Sequence, residues 1–199
     1  MQIVEGIAII DKAFSDDYCM KLISLFEDNP QFHFAGATMG GENHEQKNTE
    51  EISLADVMSL DEITNSLNDM LVEYLTKFAV DVPNWNLYNL FSESTSYKFC
   101  KLQKYNKGKG HYKAVHQERD AQPRGKDRVF TFMFYLNTVL DGGQTNFPLQ
   151  KMKISPKRGT LIIWPAGFPY LHNGEVPITH DKYIVTTWLE YNYGDENEK

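Results

Sequence analysis

From residue 97 to residue 191 the chain is cut into short runs rich in β-branched and aromatic residues, at 97–105, 112–118, 128–136, 152–154, 160–164 and 182–191. Each run is bounded by Gly, Pro, Asn or Asp, and that punctuation predicts an all-β sandwich or barrel and excludes a helical bundle for this half. Residues 129–136, Val-Phe-Thr-Phe-Met-Phe-Tyr-Leu, are apolar at nearly every position. A strand of that kind is expected to be covered on both faces.

The first half reads differently. Residues 3–10 suggest one strand, and Ser15-Asp16-Asp17 then offers a helix N-cap with acids in the first turn, followed by Cys19, Leu22, Ile23 and Phe26 on one face. A second helix is expected from Ser59, where Glu62 three places on would complete a capping box; Ile63, Leu67, Met70, Leu71, Tyr74, Leu75 and Phe78 follow at helical period. Between the helices, residues 35–51 are rich in Gly, Asn, Glu and Thr without sustained period, and read as a loop or lid. A similar stretch at 119–127 is expected at the mouth of any site, and residues 192–199 read as a frayed tail. The expected fold class is mainly β with N-terminal helices (α+β): one domain over 1–199, with 1–96 as an N-terminal strand and supporting helices and 97–191 as the core.

A net charge of −7 argues against a general nucleic-acid or membrane-surface binder, since phosphate-rich partners reward clustered Lys and Arg. Lys98, Lys101, Lys104, Lys107, Lys109 and Lys113 crowd one stretch, which reads as a solvated edge or as a guide for an acidic substrate. Two cysteines, Cys19 and Cys100, are too few for a disulfide framework, and the first ten residues lack the pattern of a signal peptide. With no apolar run long enough to span a bilayer, the expected location is cytoplasmic.

The candidate chemistry lies in His116, Glu118, His172 and Lys182. Two histidines and a carboxylate are the donor set of a non-haem Fe(II) site that leaves one side of the ion open. With 6 His and 27 acidic residues in 199, about one H-x-[DE] is expected by chance, so the pair alone says little. On an extended strand, residues two apart share a face, so His116 and Glu118 would both aim into a barrel mouth while Gln117 points away. Asp120 is a fallback carboxylate. Among the other histidines, His33 lies between two phenylalanines, His44 falls in the loop, His180 stands at a turn and His111 has no partner at ligand spacing.

The frame around these residues is more specific. Tyr135-Leu136-Asn137 is followed by Gly142-Gly143-Gln144-Thr145-Asn146-Phe147-Pro148, then by Pro156-Lys157-Arg158-Gly159-Thr160 with Leu161-Ile162-Ile163-Trp164-Pro165, then by His172, Lys182-Tyr183 and Trp188. That order resembles the prolyl 4-hydroxylase-like branch of the Fe(II)/2-oxoglutarate dioxygenases, of the small bacterial or viral type, over residues 97–191. The resemblance implies a double-stranded β-helix, or jelly roll, backed by the N-terminal helices.

It further implies that His116, Glu118 and His172 hold Fe(II), and that 2-oxoglutarate, the cosubstrate, takes two of the remaining positions and O2 the third. Ascorbate is a further cofactor in this picture. Lys182 would neutralise the distal carboxylate, with Tyr105 and Thr145 bonding it, Trp188 packing nearby and Arg128 facing the substrate. Where the family more often has aspartate this chain has Glu118, one methylene longer, and Tyr105 stands eleven residues before His116, two more than in many relatives. The implied reaction is hydroxylation of an aliphatic C–H with conversion of 2-oxoglutarate to succinate. A prolyl residue of a peptide or protein is the expected substrate. The alternatives are a free amino acid or small metabolite, and a cupin-like jelly roll that binds a metal or ligand without catalysis. Oligomeric state is not readable.

Overall fold

The chain is described by a computed structural model over residues 1–38, 40–78, 95–119 and 127–191. The expectations for residues 120–126, including Asp120, and for the tail at 192–199 lie outside those residues.

The run at 3–10 is two strands rather than one. β1 (Gln2–Val4) and β2 (Ile7–Ile10) form a hairpin through Glu5 and Gly6, whose φ values of 50° and 77° are those of the two-residue turn that matches strand twist. Helix α1 (Asp16–Glu27) begins at the expected cap, where Ser15 Oγ accepts the Tyr18 N–H at 3.2 Å.

The stretch read as a loop is instead a series of very short strands: β3 (Phe34–Ala35), β4 (Ala37–Thr38), β5 (Gly41–Glu42), β6 (Lys47–Asn48) and β7 (Glu50–Ser53). Two-residue strands are too short to show a period; β3 pairs with β7 and β6 with a later strand at His111–His116, while β4 and β5 pair with each other. Helix α2 (Asp61–Phe78) starts later than the capping box required. Ser59 Oγ accepts the Asp61 N–H and donates to the Asp61 carboxylate, while the Leu60 carbonyl takes the first helical bond from Thr64. Ile63, Leu67, Leu71, Tyr74 and Leu75 are buried as expected, whereas Phe78 is exposed.

The rest is β8 (Thr95–Tyr105), β9 (His111–His116), β10 (Arg128–Tyr135), β11 (Thr145–Phe147), β12 (Met152–Ile154), β13 (Leu161–Pro165), β14 (His172–Gly174) and β15 (Lys182–Tyr191). All pairings are antiparallel and build an eight-stranded sheet, β1-β2-β13-β10-β15-β8-β7-β3, and a five-stranded sheet, β12-β11-β14-β9-β6; β4 and β5 pair with each other. This is the two-sheet jelly-roll arrangement the sequence predicts.

Each face of the larger sheet has its own core. Phe130, Phe132 and Phe134 of β10 pack with Leu22 and Phe26 of α1 and with Leu67, Leu71 and Tyr74 of α2. The alternate residues Met133 and Tyr135 meet Phe147, Ile154 and Trp164 between the sheets. β10 lies between β13 and β15 and is covered on both sides, which is why nearly every position in it is apolar. Each such buried side chain contributes about 1.5–3 kcal/mol relative to exposure, so the helices fix the back of the sheet and leave its inner face to line the site. No helix among the described residues is long and apolar enough to cross a membrane.

Candidate metal and cosubstrate site

Adjacent strands of the smaller sheet bring the two histidines together. His116 ends β9, His172 begins β14, and the two are direct partners in the register. Their rings lie 4.3 Å apart between centroids. Tyr112 stacks on His116 at 3.9 Å, and Phe147 and Trp164 flank His172 at 5.4 and 5.1 Å, so both imidazoles are held by packing.

Glu118 arrives by a different route from the one expected. β9 stops at His116, and the chain turns so that the Glu118 and Arg119 N–H groups both donate to the Ala166 carbonyl at 3.0 Å. The turn, rather than strand alternation, aims the carboxylate inward. Its Oε1 stands 3.3 Å from His172 Nε2 and 3.7 Å from His116 Nε2.

The proton positions follow from the other ring nitrogens. His116 Nδ1 lies 2.9 Å from the Ala114 carbonyl and His172 Nδ1 lies 3.1 Å from the Tyr170 carbonyl. A carbonyl only accepts, so each Nδ1 carries a hydrogen and each ring turns its Nε2 toward Glu118. Burial, with His172 nearby, lowers the His116 pKa and keeps that ring neutral. Burial would raise the Glu118 carboxyl, but the two facing imidazoles outweigh it and hold the group well below the usual carboxylate range. Three electron-pair donors thus converge, one ligand atom from each residue, all within 4.8 Å of one another. Two histidines and a carboxylate clustered in this way could hold one divalent cation.

Lys182, the first residue of β15, faces the same cavity. It is 1% exposed and sits opposite Tyr105 in the register, with Nζ 4.1 Å over the Tyr105 ring. Its ammonium donates to the Gly143 carbonyl at 3.0 Å, and no carboxylate lies within ion-pair reach of it among the described residues. Burial pushes its pKa down to about 7. The Gly143 carbonyl is presented by a turn that only glycine fits at its first position: Gly142 has φ 74°, and a Cβ there would lie 2.3 Å from the Val176 carbonyl.

One cavity of about 480 Å3 is lined by His116, Glu118, His172, Lys182, Tyr105, Thr145, Trp188 and Arg128. These eight residues, expected at the site from the sequence, are therefore brought to it. Tyr135 donates to Thr145 Oγ1 at 2.8 Å. Arg128 points its Nη1 at Glu118 Oε2, 2.9 Å away, and its Nε at Glu190 Oε1, 3.1 Å away. His33 bridges Glu50 and the Phe26 carbonyl, and His111 spans the Lys109 and Glu45 carbonyls, so both are structural.

A further cluster at the cavity wall was missed. Glu51, fully buried, accepts from Lys47 at 2.6 Å, Lys101 at 3.3 Å, Gln103 at 2.8 Å and Thr49 at 2.8 Å, and Lys47, Lys101 and Gln103 line the cavity. Lys101 had read as part of a solvated edge; nothing in its sequence neighbourhood signals a buried partner fifty positions earlier.

Residues 100–190 match the family model of the 2OG-Fe(II) oxygenase superfamily. Among curated proteins, prolyl 4-hydroxylase 13 of Arabidopsis thaliana is 27% identical over 116 residues, 47% of this chain and 42% of that protein. The chain thus spans less than half the length of that relative. Two solved structures share the fold. A viral collagen prolyl hydroxylase from Paramecium Bursaria Chlorella virus-1, in complex with 2OG, superposes with TM-score 0.65 and 21% identity over 94% of this chain and 97% of its own. A prolyl hydroxylase in complex with a hypoxia inducible factor oxygen degradation domain peptide fragment, from Trichoplax adhaerens, gives TM-score 0.68 and 16% identity over 94% and 84%.

Proposed function

We propose that this chain, whose residues 100–190 match the family model of the 2OG-Fe(II) oxygenase superfamily, is an Fe(II)- and 2-oxoglutarate-dependent dioxygenase that hydroxylates a prolyl residue of a peptide or protein. The observation that carries the reading is the pairing, in one cavity, of a bare His-Glu-His donor set with a buried ammonium that has no carboxylate of its own. A buried cation without a counter-charge is costly, and a dicarboxylate anchored at the metal supplies the missing charge.

His116, Glu118 and His172 would hold the iron. Lys182 binds the distal carboxylate of 2-oxoglutarate, assisted by the hydroxyls of Tyr105 and Thr145 at the cavity wall. Trp164, Phe147 and Met133 shield the donor set from water, which strengthens each of these charge interactions. When bound, iron and 2-oxoglutarate together supply the oxidising power: O2 and 2-oxoglutarate are consumed, succinate and CO2 are released, and one oxygen atom enters an aliphatic C–H bond. The substrate class is supported by the prolyl 4-hydroxylase relative and by the neighbour holding a peptide.

The test is anaerobic addition of Fe(II) and then 2-oxoglutarate to the metal-free chain, followed by O2 and a proline-containing peptide library. The expected result is a weak visible band of the chelated keto acid, absent in His172→Ala, and succinate formed in step with hydroxyproline. Iron binding without the band would leave a metal-binding jelly roll, and succinate coupled only to free amino acids would replace the peptide substrate.

A further inference from the structure

Arg128, the first residue of β10, is engaged on several sides at once. Nη1 donates to Glu118 Oε2 at 2.9 Å and to the Glu118 carbonyl at 3.1 Å, Nε donates to Glu190 Oε1 at 3.1 Å, and the guanidinium carbon sits 3.7 Å over the Trp188 ring. The Glu118 carboxylate is divided between two tasks as a result. Oε1 faces the two histidines at 3.3 and 3.7 Å, and Oε2 is taken up by Arg128.

That division matters because a carboxylate can bind a cation through one oxygen or through both. Binding through both would occupy a position that a chelating keto acid or O2 requires. Glu118 also has one more rotatable bond than an aspartate, so it is free to rotate into the two-oxygen mode unless something holds it. We propose that Arg128 is a positioning residue that restricts Glu118 to a single metal-facing oxygen, with Glu190 and Trp188 locking the guanidinium in turn. The inference rests on the metal-site reading above. It assigns Arg128 to the iron rather than to the substrate. It also specifies arginine over lysine, because only a planar fork bonds two carboxylates on different edges while stacking on an indole.

The test uses the full chain loaded with Co(II), whose visible spectrum reports coordination number, and titrated with 2-oxoglutarate. Arg128→Met is expected to change the Co(II) spectrum and to weaken metal or 2-oxoglutarate binding by about tenfold or more, the usual consequence of losing a partner that orients a ligand. Arg128→Lys should change the spectrum in the same direction with smaller amplitude. If Arg128→Met does not melt cooperatively, Arg128→Lys decides, since it keeps a cation against Glu190. Wild-type spectra and affinities in both variants, with a loss confined to peptide KM, overturn the proposal and return Arg128 to the substrate. An unaltered chain that binds no Co(II) removes the metal reading and this inference together.

Discussion

Raising the pH above 7 should weaken 2-oxoglutarate binding, and the size of the effect follows from Lys182. In the ligand-free protein its pKa is down at about 7 because burial disfavours the ammonium. The arriving carboxylate needs that ammonium and raises its pKa, so above pH 7 binding must take up a proton. Affinity is at its plateau below pH 7 and falls as the pH rises, by about tenfold at pH 8 and about a hundredfold at pH 9, or roughly 1.4 kcal/mol per unit. The assay is calorimetric titration of the Mn(II)-loaded protein from pH 6.5 to 9 in two buffers of different ionisation enthalpy, which counts the protons directly. Lys182→Arg is the control, because a guanidinium does not titrate in this window and its affinity should be flat. The depressed His116 pKa keeps that ring neutral throughout, so its titration does not set the slope. An affinity that is flat in the unaltered chain would refute the reasoning, and an equal slope in Lys182→Arg would assign the proton to another group.

Two further outcomes concern stability. Lys182→Met should stabilise the metal-free protein, since a lysine whose folded pKa lies below its unfolded value opposes folding most at low pH; the gain is roughly 3–5 kcal/mol below pH 7 and shrinks as pH rises toward 10. Urea unfolding at pH 6 and pH 9 checks both its sign and its trend, and a loss of stability would show that the ammonium is compensated. Glu51→Gln leaves Lys47 and Lys101 without their counter-charge and should cost about 3 kcal/mol at pH 7. Burial raises the Glu51 carboxyl, but Lys47 and Lys101 outweigh it and hold it low, so the wild-type advantage should persist to about pH 5 and disappear as the carboxyl is protonated below its unfolded value. Thermal melts that coincide at pH 7 would show the cluster to be energetically neutral.

What the sequence made legible was whatever rests on local chemistry. The Ser15 cap, the α2 face from Ile63 to Leu75 and the doubly covered β10 depend on neighbours within a few residues, and the structure has them. His116, His172 and Lys182 were singled out by the motifs that frame them, and they line one cavity. The misses share another physical origin. β4, β5 and β6 are two residues long, too short to carry a period. Glu118 was placed on a strand because extended geometry was the only local rule available, while the Ala166 carbonyl that turns the chain lies almost fifty positions away. The Glu51 cluster joins residues from three strands, and a buried lysine looks like an exposed one until its partner is known.

β6 belongs to the smaller sheet and β7 to the larger, with only Thr49 between them, and Glu51 then reaches back to Lys47 on one sheet and to Lys101 on the other. The two jaws of the cavity are in effect riveted at this edge by covalent chain and by charge. A guest too thick for the slot cannot prise it open here without breaking a buried ion cluster, so the gauge of what enters is set by the length of a single residue.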